Sequence, residues 1–313
     1  MRVISAEEVA ASLPWDALVD RLARTFRDGV ESPPRHHHAM QRPDGEATLL
    51  LMPAWEAAGY IGVKMVNVFP QNADHGLPAI AGVYLLSEGA HGRPLACLDG
   101  SELTRRRTAA ASALAARELA RDDAETLLVV GTGKLAPMVI EAHAAVRPIK
   151  RVRIWGRHYD KAERLAADYA GRFDCAAVED LEAATREADI VSCVTLSSAP
   201  LIRGAWLSPG THLDLIGAFR PSMRETDAEC FARSEVFVDT YAGAQGEAGD
   251  ILQAIDEGAF TFDAVRAELA ELLRNEKTGR SSKEAITLFK SVGASIEDLA
   301  AAIEVWEQLE GRG

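Results

Sequence analysis

The segment LLVVGTGKLAP, Leu127 to Pro137, is an apolar run that meets a glycine turn and then a stretch that reads as helix. In Gly131-Thr132-Gly133-Lys134-Leu135-Ala136 the first glycine permits a tight turn. The second lets backbone approach a pyrophosphate, and the small third residue lets helix pack on strand. Alanine is an accepted third residue, so Ala136 keeps the pattern. The free N–H groups and positive dipole end of the following helix would face the phosphates. A glycine turn that binds nothing is the alternative reading. This one, however, follows a strand and is followed by a second strand at the right distance. Gly131, Thr132, Gly133, Lys134 and Leu135 are therefore expected to hold a dinucleotide.

Which dinucleotide is a question for the end of that second strand, RVRIWGRHYDKAE. An enzyme for NAD places a carboxylate there, about 20 residues after the loop, to accept from the ribose 2′-OH. Here the strand ends Trp155-Gly156-Arg157-His158, with no carboxylate before Asp160. A guanidinium suits a 2′-phosphate, so NADP(H) is favoured over NAD(H), with Arg157 and His158 as contacts. An ordinary solvated arginine is the alternative for Arg157.

Outward from this loop, TLLVVG, RVRIWG, IVSCVT, THLDLIG and VFVD alternate with helix-like segments such as KAERLAADYAGRF. Strands alternating with helices mean βαβ units and a parallel sheet. Dinucleotides lie across the carboxyl ends of such strands. That places Thr195 and Ser197 (in CVTLSS), Gly217 (in LIGAF) and Ser291 (in KSVGAS) near the cofactor, with ordinary loop residues as the alternative for each.

Before Glu125 the chain reads as mixed α+β. Residues 5–29 have helical apolar spacing, with Ser5 as N-cap before Glu8. A loop, ESPPRHHHAMQRPDGE, leads to the short strand-like runs ATLLLMPAW, YIGVKMVNVF, AGVYLLSE and PLACLDG. ELTRRRTAAASALAARELA is a strong helix, and the tail SIEDLAAAIEVWEQLEGRG is an amphipathic one. The fold class expected is α/β, with a Rossmann dinucleotide-binding domain over 119–294. An α+β substrate and dimerisation domain is expected over 1–118 and 295–313.

A net charge of -13 argues against nucleic acid and gives no attraction to an anionic membrane. No apolar stretch reaches the roughly 18 residues of a spanning helix, and the acidic start lacks the features of a signal peptide. The four cysteines are scattered, without the patterning of a metal site or disulfide scaffold. A reduced, cytoplasmic setting is the natural expectation.

LLLMPAW, GVKMVNVFPQN, GLPAIAGVYLL, RRRTAAASALAA, VVGTGKLAP, DLIGAFRPSMRETD and SVGASIEDLAAA occur in that order. Together they resemble the ornithine cyclodeaminase/μ-crystallin family along nearly the whole chain. The resemblance implies a homodimer and a substrate-carboxylate site at Arg35, Lys64 and Arg107. These residue types suit that task, since a guanidinium grips a carboxylate bidentately and a buried lysine acts as a point charge or titrates. Arg105 and Arg106 compete with Arg107, because helix periodicity points each a different way. Arg42 is a rival to Arg35.

The departures matter for the chemistry. The family's cyclodeaminases carry an aspartate where this chain has Phe219 and a glutamate where it has Leu50. Neither hydrocarbon can hold a diamine's charged tail. What remains is a carboxylate clamp, an apolar wall and a reduced nicotinamide. This resembles the branch of Δ1-pyrroline-2-carboxylate and Δ1-piperideine-2-carboxylate reductases, which make L-proline and L-pipecolate. The implied reaction is hydride transfer from NADPH to the imine carbon, with Lys64 orienting the carboxylate or relaying a proton. The rival readings are a cyclodeaminating lyase, an amino-acid dehydrogenase, and a μ-crystallin-like NADPH-binding protein without activity.

Several other features are read conservatively. His36-His37-His38 diverge as neighbours and lack a second ligand cluster, so a loop at the substrate mouth is expected and no metal. Asp214 is a candidate only, because it could equally cap or pair nearby. Arg224 to Asp227 is expected to start a helix with its carboxylates in the first turn. RNEKTGRSSKEA is expected to be a solvated loop.

Overall fold

The structure, a computed structural model, describes residues 1–43 and 45–311, apart from the side chains of Ala73 and Asp74. Asp44 of the expected loop and the last two positions of the expected tail helix, Arg312 and Gly313, lie outside the described residues. The chain divides into two compact units, Met1–Thr108 with Ala294–Gly313, and Ala109–Gly293.

The first unit holds strands β1 (Arg2–Ile4), β2 (His36–Arg42), β3 (Gly45–Trp55), β4 (Tyr60–Val68), β5 (Ile80–Glu88) and β6 (Pro94–Asp99). They form one sheet in the order β1-β6-β5-β4-β3-β2, antiparallel except for the β1–β6 pair. Helices α1 (Ala6–Ala11), α2 (Trp15–Asp28), the start of α3 (Gly100–Leu119) and α11 (Ser295–Glu310) complete it. Side chains directly opposite in a ladder share a face. Met52, Lys64, Tyr84 and Leu98 therefore line one face, and Pro53, Val63, Leu85, Cys97 and Val3 line the other. The first face is buried, with α11 packed on β3, β4 and β5 and also on α2.

Residues 5–29 form two helices, not one. Ser5 caps α1 as expected, its hydroxyl accepting from the Glu8 N–H while the Glu8 carboxylate accepts from the Ser5 N–H. Pro14 then breaks the run, because a proline disfavours helical backbone in the residue before it. His36 to Arg42 is likewise not loop but strand, paired residue by residue with β3. Its alternation is hidden in the sequence because the strand is largely exposed on both faces. The tail helix α11 is not amphipathic over its first three turns: every residue from Ser295 to Val305 is buried.

The second unit is a parallel sheet of β7 (Thr126–Val130), β8 (Arg151–Trp155), β9 (Asp174–Ala177), β10 (Ile190–Cys193), β12 (His212–Leu215), β14 (Glu235–Val238), β15 (Ala267–Glu268) and β16 (Thr287–Lys290). Their order is β15-β14-β16-β12-β10-β7-β8-β9. β11 (Ser198–Ile202) and β13 (Arg224–Thr226) form a separate pair. The connecting helices are α4 (Ala136–Val146), α5 (Tyr159–Tyr169), α6 (Leu181–Glu187), α7 (Ala228–Arg233), α8 (Tyr241–Glu247), α9 (Gly249–Asp256) and α10 (Leu269–Leu273). From β7 the chain steps outward through β8 and β9, then returns to the far side of β7 as β10. This reversal is the switch point of a doubly wound sheet, and ligands bind outside the carboxyl ends of its strands. Leu127 to Val130 are wholly buried at the centre of the sheet, which is why that run is continuously aliphatic.

Candidate active site

In the first unit, β4 turns Lys64 onto the buried face of the sheet. Its ammonium lies 2.7 Å from Asp298 Oδ2, in the first turn of α11. Arg107, on α3, donates to the other Asp298 oxygen at 3.0 Å and to Glu297 Oε2 at 2.6 Å. All four side chains are buried. Burial pushes the Lys64 ammonium down to about 8 against the attraction of Asp298, and the charges of Arg107 and Arg35 add to the depression. Burial works on Asp298 in the opposite direction, but Lys64 and Arg107 outweigh it and hold the carboxyl below its ordinary range. Lys64 is thus a buried ammonium held by one carboxylate, with its acidity raised by burial.

The three adjacent arginines are separated by their partners. Arg105 and Arg106 both bind Glu102, and Arg106 also stacks over Trp15. Only Arg107 reaches the acid shared with Lys64. Arg35 is half-buried just before β2, close enough for its charge to act on Lys64. Its rival Arg42 stacks over Phe69 at 4.9 Å. Next to Lys64, the Tyr84 hydroxyl is buried and has no hydrogen-bond partner among the described residues. Any side chain at Gly62 would occupy the place of that hydroxyl. Leu50 is half-buried on β3, opposite Val66 and His37. Sequence reading missed Glu297 and Asp298, which stand about 190 positions from Arg107. In the sequence they look like ordinary first-turn helix acids.

In the second unit, Gly131 has φ +128°, and a Cβ there would meet Val194 Cγ2 at 2.9 Å. A Cβ on Gly133 would meet nothing within 4 Å, so space is open above that residue. Ala136 is fully buried and opens α4, whose N-terminus has no side-chain cap. Open space, an uncapped helix end and backbone-only residues fit a pyrophosphate. Lys134 is exposed, and Thr132 packs against Gly156. Arg157 and His158 are exposed just beyond β8, and the nearby carboxylate of Asp160 is taken by Arg164 at 2.5 Å.

At the other strand ends, the Thr195 N–H and hydroxyl both donate to Glu225 Oε1, at 2.6 and 2.7 Å. The Ser197 hydroxyl donates to the Ala199 carbonyl. Ser291 is buried, with its N–H on the Leu215 carbonyl. Gly217 carries the carbonyl that Lys290 binds. Phe219 is half-buried with Arg220 over its ring, and it follows Ala218, which has a left-handed φ of +53°.

Two expectations change, and Asp214 takes the local pairing that its sequence context allowed. Asp214 is fully buried within β12, where its carboxylate accepts from Ser192 Oγ at 2.5 Å and lies 3.8 Å from His143. It is paired inside the sheet, as one of the two readings of the sequence allowed. Arg224 to Thr226 is a strand, and only Asp227 begins a helix, as the N-cap of α7. Glu225, expected in the first turn of that helix, is wholly buried on the strand. In the segment expected to be solvated, Arg280 turns inward to the carbonyls of Leu119 and Ala285. Among the described residues no group of His, Cys, Asp and Glu could hold a metal ion, and no helix is long and apolar enough to cross a membrane.

The model of the ornithine cyclodeaminase/mu-crystallin family matches residues 2–313. The chain is 36% identical, over 315 residues, to a Delta(1)-pyrroline-2-carboxylate reductase of Colwellia psychrerythraea, with 99% of each chain covered. It is similar in structure to the Thermococcus litoralis Delta(1)-pyrroline-2-carboxylate reductase in complex with NADH and L-proline. That match has a TM-score of 0.92 at 30% identity and covers 100% of this chain and 98% of the other. An archaeal alanine dehydrogenase dimer with bound NAD gives a TM-score of 0.91 at 29% identity, covering 100% of this chain and 97% of that one.

Proposed function

The chain belongs to the ornithine cyclodeaminase/mu-crystallin family, and on that premise we propose that it reduces cyclic α-imino monocarboxylates with NADPH. Δ1-pyrroline-2-carboxylate would give L-proline, and Δ1-piperideine-2-carboxylate L-pipecolate. The coarser class, an NAD(P)H-dependent oxidoreductase acting on C=N bonds, rests on the reductases it matches along its whole length.

The observation that carries the reading is the buried Lys64–Asp298–Arg107 cluster with Arg35 beside it. Its two acids balance the charges of Lys64 and Arg107, and the cationic Arg35 lies close enough to act on Lys64. The nicotinamide, when bound, supplies a hydride. The residues of the chain do the rest. Arg35, with the remaining donors of Lys64 and Arg107, would hold the substrate carboxylate. Lys64, protonated at neutral pH yet weakly so, would keep a proton at the imine nitrogen, which makes the neighbouring carbon more electrophilic. Leu50 in the first unit and Phe219 in the second would each put hydrocarbon where an acid would favour an ammonium tail.

The glycine loop, Gly131 to Leu135, would hold the pyrophosphate. Thr195, Ser197, Gly217 and Ser291 would lie toward the nicotinamide, and Arg157 with His158 toward a 2′-phosphate. Asp160, the first carboxylate after that strand, is engaged by Arg164. We assign the substrate and pairing roles to the first unit and the cofactor role to the second. A homodimer fits the apolar face of the first unit's sheet, where Val3 is 75% exposed and Leu85 40%. Leu85→Glu should lower the mass of the species eluted in size-exclusion chromatography with light scattering.

The test is NADPH oxidation with Δ1-pyrroline-2-carboxylate, run beside NADH and beside ornithine with NAD. Oxidation that Lys64→Ala abolishes is the expected result. Ammonia released from ornithine, without imine reduction, would overturn the reading in favour of a lyase. The alanine dehydrogenase likeness favours one second reading, and reduction of an open-chain 2-oxo acid that requires free ammonia would reveal it.

A further inference from the structure

Glu225 has no part in the reaction as derived above, yet it is buried at the carboxyl ends of the strands. Its backbone N–H and that of Thr226 donate to Asp250 Oδ1 at 2.7 and 3.0 Å, which anchors the short strand β13. From there its carboxylate takes both donors of Thr195, just beyond β10. It also fills the space beside Gly217, just beyond β12, where any side chain would collide with it and with the Thr195 carbonyl. Lys290, the last residue of β16, donates to the Gly217 carbonyl and lies 3.4 Å from Asp250 Oδ2. Glu225, Lys290 and Asp250 are all fully buried, so one charged network ties the ends of three adjacent strands. Such networks add little to stability compared with apolar residues of the same volume, because desolvation offsets their attraction. Their physical effect is to fix geometry. The strands they fix are β10, β12 and β16. They form the second mononucleotide half of the doubly wound sheet, opposite the half that begins with the glycine loop.

We propose that Glu225 is a positioning residue for the nicotinamide end of the cofactor, acting through Thr195. By holding the Thr195 N–H and hydroxyl it fixes the backbone on which that end rests, while Lys290 fixes the neighbouring Gly217 carbonyl. The inference rests on the cofactor part of the proposed function and needs no particular substrate.

The experiment measures dissociation constants by fluorescence titration, without substrate, for NADPH and for 2′-phospho-ADP-ribose, which lacks the nicotinamide. Removing the acceptor of two buried hydrogen bonds should weaken NADPH binding of Glu225→Leu by about tenfold or more. Binding of the fragment should not change. Glu225→Gln keeps an acceptor oxygen and should restore most of the NADPH affinity. Thr195→Val removes the hydroxyl alone and should give a smaller loss, again confined to NADPH. It also serves as the test if Glu225→Leu does not fold. NADPH affinity unchanged in the folded variants would overturn the proposal, as would equal weakening of both ligands, which is what general loosening of the unit would produce. A wild-type protein that binds neither ligand would overturn the cofactor reading itself and this inference with it.

Discussion

Replacing Asp298 with asparagine removes the negative charge between Lys64 and Arg107 while keeping the shape of the side chain. At an effective dielectric of about 20, a unit charge 2.7 Å from the ammonium is worth on the order of 6 kcal/mol. One pK unit corresponds to about 1.4 kcal/mol. Even a third of that attraction, with the amide dipole making up the rest, exceeds one unit. Losing an anion disfavours the charged form of a lysine, so Lys64 moves down from about 8 and crosses neutrality. The assay is the pH–rate profile of NADPH oxidation with Δ1-pyrroline-2-carboxylate. In the wild type the alkaline limb should fall near pH 8, where Lys64 loses its proton. In Asp298→Asn that limb should shift by at least about one unit toward acid, and activity lost at neutral pH should return under mildly acidic conditions. The variant should also melt earlier, because breaking a buried pair by removing one partner costs about 3–5 kcal/mol. A folded Asp298→Asn enzyme with an unmoved alkaline limb would refute the reasoning, since the limb would then belong to another group.

Other expectations follow from single positions. Arg157→Ser should weaken NADPH by roughly tenfold, the scale of one charged hydrogen-bond partner, and leave NADH unchanged; equal affinities for NADPH before and after would defeat the assignment. Gly131→Ala places a Cβ 2.9 Å from Val194 at a φ of +128°. It should cost on the order of 1–3 kcal/mol of stability and abolish cofactor binding, checked by thermal melting with and without NADPH. Burial pushes His143 below the ordinary imidazole range and His212 well below it. The unfolded chain therefore takes up protons that the fold refuses. Stability is complete above about pH 6.5 and falls below it by up to about 1.4 kcal/mol per unit for each histidine. Burial raises Asp214, which opposes part of this loss. Urea denaturation at decreasing pH should show the slope, and a His143→Gln/His212→Gln protein that keeps it would assign it elsewhere.

What the sequence determined by itself is what depends on neighbours along the chain. The glycine loop, the alternation of apolar runs with helices, and the capping of α1 by Ser5 rest on turn geometry, periodicity and a hydroxyl three residues from its donor. So does the absence of a carboxylate between Trp155 and Asp160, which bears on the cofactor. The tertiary structure decided whatever depends on distant partners. Arg105, Arg106 and Arg107 are indistinguishable in composition and separate only because Glu102 claims two of them while Glu297 and Asp298 claim the third. Asp214 and Glu225 sit in segments that suit exposed acids equally well. Each is buried because a hydroxyl or a lysine on another strand meets it there. His36 to Arg42 became a strand because β3 offered it a ladder. A propensity within one stretch of chain is written in that stretch. The pairing of charges held far apart in sequence is not, because it depends on folding to remove them from water and bring them within a few ångströms of one another.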